Sequence, residues 1–278
     1  MARYPFTQVD VFRSAPLTGN PLAVVHGADG LAEDQLPEFA RWTGLSETVF
    51  LLEPTEPEAD YRVRIFTTDR ELPFAGHPTL GSAYAWLRAG GRPRRDGRVV
   101  QQCGVGLVDV TVEEERLAFA APPLTRFEPV EESLRERLTG GLGLAPGELL
   151  EASWLVNGPE WIGVRLASAA AVLAVRPDPE RLDGLDVGLI GPHPAGGDAQ
   201  VEVRAFLFAD GVVEDPVTGS LNAGLAHWLI SSGLVPSSYV AAQGTAVGAA
   251  GRVHLDRRDD ALWVGGQVAS VVSGSVEL

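Results

Sequence analysis

The sequence predicts an α+β protein of two similar lobes, each an antiparallel β-sheet or barrel wrapped around one central buried helix. Three observations carry that expectation. One internal repeat sits at half the chain length, short β-branched runs recur in both halves, and each half holds one helix that is apolar on nearly every side.

The repeat is read from paired motifs. Val63-Arg64-Ile65-Phe66 is echoed by Val203-Arg204-Ala205-Phe206, and Gly76-His77-Pro78-Thr79-Leu80-Gly81-Ser82 by Asp215-Pro216-Val217-Thr218-Gly219-Ser220. Trp86-Leu87 and Trp228-Leu229 follow in turn. His77 and Asp215 lie 138 positions apart, and Arg64 and Arg204 lie 140 apart. A weaker echo, Asn20-Pro21 against Gly158-Pro159, keeps the 138-residue offset. Solenoid units run to a few tens of residues, so one repeat of this length is a duplicated domain with approximate two-fold symmetry. The expected boundary lies near Pro122-Pro123. It separates an N-terminal lobe, residues 1–123, from a C-terminal lobe, residues 124–278, with the last strand (270–278) able to return to the first lobe.

The elements follow in order. Val9–Phe12, Thr48–Leu52 and Tyr61–Phe66 are β-branched or aromatic runs that read as strands. A helix is expected from about Glu33 to Thr43, ended by Gly44. Leu107–Val112 and Leu117–Phe119 flank the acidic turn Glu113–Arg116 as a hairpin would. One central helix follows Pro78 to about Arg88 and stops at Gly90-Gly91; the other follows Pro216 to about Ser232 and stops at Gly233. Leu80, Ala83, Ala85, Trp86 and Leu87, and Leu221, Ala223, Leu225, Ala226, Trp228 and Leu229, leave neither helix a polar face, which is the mark of burial.

Composition excludes several classes of function. The formal charge of −15 argues against nucleic acid, because phosphate binding needs cations gathered on one face. Arg92–Arg98 is arginine-rich, but reads as a solvated turn before a strand. No run approaches the roughly 20 apolar residues of a membrane helix, and the N-terminus lacks a secretory apolar stretch, so a cytoplasmic protein without membrane partners is expected. Lone Cys103 excludes an intramolecular disulfide and any multi-cysteine metal site. All 22 cationic residues are arginine. Without lysine there is no Schiff-base chemistry of the pyridoxal phosphate kind and no Walker-type phosphate loop.

The chemistry is expected where the two central helices begin. His77 and Asp215 are read as polar N-caps, each followed by proline at the first helical position. Unpaired N–H groups and the positive end of the helix dipole then face outward. If the lobes are two-fold related, both starts can face one cleft that favours a carboxylate and stabilises charge built up on carbon deprotonation. Aspartate is a favoured cap and needs no further role, whereas histidine is not and asks for one. Ser82 reads as an ordinary helix-start hydrogen-bonder. Glu47, at the junction between a helix and a strand, has by pattern alone the look of a solvated carboxylate.

The same residues carry a resemblance. Asp10-Val11-Phe12 with Gly19-Asn20-Pro21-Leu22-Ala23-Val24, then Ser46-Glu47-Thr48-Val49-Phe50, resemble the opening of phenazine-biosynthesis, PhzF-like, proteins. Arg64-Ile65-Phe66-Thr67, Glu71–Thr79 and Glu214–Ser220 continue the match in order. The resemblance implies a diaminopimelate epimerase-like fold and a cofactor-independent isomerase acting on a small anionic, carboxylate-bearing substrate, as trans-2,3-dihydro-3-hydroxyanthranilate isomerase does. It implies Glu47 as acid/base, His77 and Asp215 as catalytic partners, and Asn20, Gly76, Gly219 and Ser220 as substrate-binding residues. It implies no metal and no cofactor, and leaves a homodimer open.

Other readings remain beside it. A two-thiol epimerase is excluded by the single cysteine, while a one-base epimerase or racemase driven by Glu47 is not. The five histidines show no metal-ligand spacing, which counts against a hydrolase, and His227 reads as a core histidine. Gly140–Gly143 follows a helix rather than a strand, the wrong context for a dinucleotide loop. A binding protein that kept the fold without turnover is the alternative from another class.

Overall fold

The computed structural model describes residues 2–113, 116–208 and 212–278. They form two compact units, one made of Met1–Ala120 with Gly265–Leu278 and the other of Ala121–Val264.

The first unit contains β1 (Arg3–Arg13), β2 (Asn20–Val25), α1 (Gln35–Thr43), β3 (Thr48–Leu52), β4 (Tyr61–Phe66), β5 (Glu71–Leu72), α2 (Gly76–Arg88), β6 (Arg98–Cys103), β7 (Gly106–Glu113) and β8 (Arg116–Ala120). It also holds most of the last strand of the chain, β17 (Ala261–Glu277). Pairing runs β1–β2–β3–β4–β6–β7–β8–β17 and back to β1, an eight-stranded closed barrel. β1–β2, β3–β4, β6–β7, β7–β8 and β17–β1 pair antiparallel, while β2–β3 and β4–β6 pair parallel, where crossovers carrying α1 and α2 bring the chain back in the same direction. The β7–β8 hairpin pairs Glu113 with Arg116; residues 114 and 115 of the acidic turn lie outside the described residues.

Helix α2 touches β1, β2, β3, β4, β6, β7 and β8, so it runs through the barrel. It can do so because its side chains are small: Gly81, Ser82, Ala83 and Ala85 are buried along it. On the outside, α1 lays Leu36, Phe39 and Ala40 on Val25, Phe50 and Phe66, and ends at Gly44 in the left-handed region (φ 64°). Burying each large side chain of that set contributes about 1.5–3 kcal/mol.

The second unit repeats the plan with β9 (Arg126–Pro129), α3 (Glu132–Gly141), β10 (Glu151–Val156), β11 (Glu160–Arg165), α4 (Ala169–Ala174), α5 (Pro179–Leu182), β12 (Asp186–Pro192), β13 (Val201–Leu207), β14 (Val212–Asp215), α6 (Gly219–Ser231), β15 (Ser238–Gln243) and β16 (Gly251–Arg258). Its sheet runs β9–β10–β11–β12–β13–β15–β16, with parallel pairing at β11–β12 and β13–β15, the counterparts of β2–β3 and β4–β6. Leu221 and Leu225 of α6 press on Gly188 and Gly163 of the sheet.

The repeat is real, but its register changes along the chain. Ala23 faces Thr48 as Trp161 faces Asp186, which preserves the offset of 138. The central helices begin 143 positions apart, at Gly76 and Gly219. The N-cap residues are therefore Ala75 and Thr218, not His77 and Asp215. His77 is the second residue of its helix and corresponds to Ser220, while Asp215 closes β14 and corresponds to Leu72, at the end of β5. The offset widens in steps, to 140 at the starts of β4 and β13 and to 143 at the two helices, so the matched Gly-His-Pro and Glu-Asp-Pro motifs occupy different places.

Gly19 fixes the start of β2. A Cβ there would lie 2.1 Å from the Val11 carbonyl oxygen, and its N–H donates to buried Asp10 (2.8 Å). Neither backbone can yield without breaking the β1–β2 register. Gly19→Ala is expected to destabilise the protein by about 1–3 kcal/mol, read as a lower denaturant midpoint at unchanged slope.

Candidate active site

Glu47 and His77 meet inside the first unit. Glu47 stands one residue before β3, past the turn at Gly44 that ends α1, and His77 in the first turn of α2. The imidazole Nδ1 lies 3.3 Å from Glu47 Oε2, with the side chains 5% and 15% exposed. The pattern-based picture of Glu47 as a solvated carboxylate is therefore corrected: the strand that follows it, Val49 to Leu52, is drawn into the core and takes the carboxylate under cover. Burial pushes the His77 pKa down to about 3, opposed by the Pro21 carbonyl beside the ring. The ring is neutral at ordinary pH, and Nε2 has no protein partner.

The surroundings are polar by construction. Asn20 is fully buried at the first position of β2, beside Pro21. Gly76 to Thr79 are all buried, yet no side chain caps α2. A helix start on the surface can leave its N–H groups to water; a buried one needs an acceptor. The N–H groups of Gly76 and His77 are the natural place for an anion.

Asp215, Gly219 and Ser220 are grouped in the second unit. Asp215 is buried, and its Oδ2 accepts from Thr218 Oγ1 at 2.5 Å. Ser220 is tied down: its hydroxyl accepts from Trp161 Nε1 (3.0 Å) and its carbonyl from Asn157 Nδ2 (2.8 Å). Gly219 opens α6, which also lacks a side-chain cap.

One residue here escaped the sequence reading. Gln243, at 0% exposure, accepts through Oε1 from Thr218 N (3.1 Å) and Asn222 Nδ2 (2.7 Å). Its Nε2 donates to the Asp215 carbonyl (3.2 Å) and Thr218 Oγ1 (3.0 Å). It thereby fixes the loop that carries Asp215. The available signal was a lone amide at the end of an otherwise apolar strand, where a buried polar group must be bonded. Gln101 plays the matching part in the first unit, accepting from Tyr61 Oη (2.8 Å) and donating to Thr79 Oγ1 (3.0 Å).

Among the described residues no cluster of three or more His, Cys, Asp or Glu could hold a metal ion, and no helix is long and apolar enough to cross a membrane. His227 is half-buried beside the Pro122 carbonyl, and its pKa is lowered chiefly by burial.

A carboxylate set against a neutral imidazole, on a closed sheet threaded by a helix, is a geometry suited to proton transfer on an α+β scaffold. Comparison with known proteins gives the particular family. Phenazine biosynthesis-like proteins match residues 9–274. Antisense-enhancing sequence 1 of Schizosaccharomyces pombe is 33% identical, with 99% of each chain covered. Trans-2,3-dihydro-3-hydroxyanthranilate isomerase of Pseudomonas aeruginosa is also 33% identical, over 98% of this chain and 99% of its own. A PhzF-family crystal structure from Enterococcus faecalis has the same fold, with a TM-score of 0.84, 24% identity and 100% of both chains covered. The chain belongs to the phenazine biosynthesis-like protein family, whose members similar to it over nearly their full length include isomerases.

Two outcomes follow from the geometry. Between pH 6.5 and about 3 the unfolded chain binds a proton at residue 77 that the folded chain refuses, so stability falls as pH drops through that window and is unaffected above it. Comparing His77→Asn with wild type in denaturant series from pH 7 to 4 should show this contribution, up to about 1.4 kcal/mol per pH unit, absent from the variant. Gln243→Leu strands the Thr218 N–H and the Asn222 amide, and should cost about 1–3 kcal/mol in the same assay.

Proposed function

We propose that this protein is a cofactor-independent isomerase that moves a proton between carbons of a small carboxylate-bearing substrate, resembling trans-2,3-dihydro-3-hydroxyanthranilate. The observation that carries the reading is the buried Glu47–His77 pair. A proton shift needs one group that can take a proton and return it elsewhere, and a carboxylate screened from water can be both base and acid in one turnover.

In this mechanism the Glu47 carboxylate removes a proton from a carbon made acidic by a conjugated acid group. The electron pair moves into the π-system, and protonated Glu47 delivers the same proton to the far end. Nothing is oxidised or reduced, so no cofactor is required. The neutral His77 ring stands against the Glu47 carboxylate and offers Nε2 to the substrate. The open N–H groups at Gly76 and His77 receive the substrate carboxylate, with Asn20 beside them. Asp215 is proposed as a charge-balancing carboxylate, and Gly219 and Ser220 as substrate-binding residues. A homodimer is compatible with this scheme, which makes no use of a partner chain.

Proton NMR of a dihydro-hydroxyanthranilate in D₂O tests it, beside Glu47→Gln. Wild type should introduce deuterium with double-bond migration, and the variant should lose that activity by about 10²–10⁴-fold or more while still binding the ligand. Near-normal turnover by the variant would sink the assignment. Inversion of a stereocentre without double-bond movement would make the protein a one-base epimerase, and exchange by neither form would leave a binding protein or another substrate.

A further inference from the structure

The first unit has a cavity of about 470 Å³ away from Glu47 and His77. Arg88, the last residue of α2, lines it, eleven residues along the helix from His77, or roughly 16 Å at the helical rise. Arg13 of β1 and Arg116 of β8 also line it. Leu87, Val112, Leu117 and Val268 supply apolar walls.

Among the described residues the charges there are out of balance. Arg116 stands 3.8 Å from Glu113, the one carboxylate among the lining residues. Arg13 and Arg88 have no carboxylate or carbonyl partner among the described residues. Elsewhere in this acidic chain Arg64, Arg98, Arg165, Arg204 and Arg252 each face a carboxylate. Arg13 Nε is shut off from water without gaining a partner, which costs stability unless something else accepts from it.

Two explanations internal to the fold fail. Arg88 is not needed to close the helix, because Ala89, Gly90 and Gly91 N–H groups already bond the carbonyls of Ala85, Leu87 and Trp86. Nor is Arg13 a routine strand residue. The β1–β17 register slips between Val11 and Arg13, and the intervening Phe12, fully buried, sits at φ 62° in the left-handed region that a bulky side chain avoids. A bulge of this kind re-aims the side chain beside it, and here the re-aimed side chain is a guanidinium in the cavity wall.

We propose that this cavity is a second ligand site, distinct from the Glu47–His77 pair, for a small carboxylate with an apolar body such as an aryl carboxylate. Arg13 and Arg88 hold the carboxylate, as guanidinium forks do, and Leu87, Leu117 and Val268 pack the ring.

Fluorine NMR titration of the full chain with 4-fluorobenzoate tests this, with acetate as the probe without an apolar body. Saturable binding by wild type should weaken about 10-fold or more in Arg88→Gln and in Arg13→Gln, each checked for folding by circular dichroism, and should survive Glu47→Gln unchanged. Arg88 is exposed, so its variant keeps the test open if Arg13→Gln fails to fold. No saturable binding by wild type, equal binding by wild type and Arg88→Gln, or loss of binding in Glu47→Gln would each overturn the proposal. Acetate binding as tightly as 4-fluorobenzoate would overturn the role of the apolar walls. None of these outcomes depends on turnover, so a failure here is separate from a failure of the isomerase reading.

Discussion

A helix can pack this closely along a sheet only if one of the two gives up side-chain volume wherever they touch, and that constraint orders both units. In the first unit the helix yields: a Cβ on Gly81 of α2 would lie 2.4 Å from Leu22 and 3.1 Å from Val11 and Val9. In the second the sheet yields, with Gly188 and Gly163 making room for Leu221, Leu225 and Trp228 of α6. Close packing of this kind leaves a helix little freedom to slide or turn. The first turns of α2 and α6 are therefore fixed relative to their own sheets. A reactive group placed there inherits the rigidity of the core instead of the looseness of a loop.

Fixing an apolar helix by packing alone leaves the polar residues at its start unaccounted for. Each unit meets this with one buried glutamine on the strand that runs parallel to the centre of the sheet, Gln101 on β6 and Gln243 on β15. An amide can accept and donate together, so one side chain ties strand to helix start without a net charge. Gln101 reaches Thr79 in α2, and Gln243 reaches Thr218, Asn222 and the Asp215 carbonyl. The richer network is in the second unit, where the chain leaving β14 must be held with a carboxylate on it. In the first unit the His77 ring is on the helix itself, and fewer bonds suffice.

What could be read in the sequence follows from these physical causes. The central helices were legible because burial on all sides removes every polar face, and the duplication because motifs recur in order. The register of the duplication was not. Proline and glycine punctuate both helix starts, but the offset widens stepwise between β12 and α6, so aligned letters diverge by five residues from aligned helix starts. That is why His77 and Asp215 read as equivalents although His77 corresponds to Ser220. Glu47 was underrated by local pattern because its burial comes from the strand after it, and Arg13 carried no signal because a bulge has none in single-sequence periodicity. Gln101 and Gln243 were visible only as polar letters in apolar strands.

The neutrality of His77 follows from the balance of two opposing effects, and it decides how the pair can work. The Pro21 carbonyl beside the ring favours imidazolium, yet desolvation of a ring 5% exposed works against the charge and is the largest influence on it. A buried ion pair gains Coulomb energy only by removing two charges from water, and that cost commonly exceeds the gain. A neutral ring carries one N–H, and Nε2 has no protein partner. In the proposed mechanism a neutral ring would let Glu47 alternate between base and acid, and the packing that holds the first turn of α2 inside the barrel maintains the burial that keeps His77 neutral.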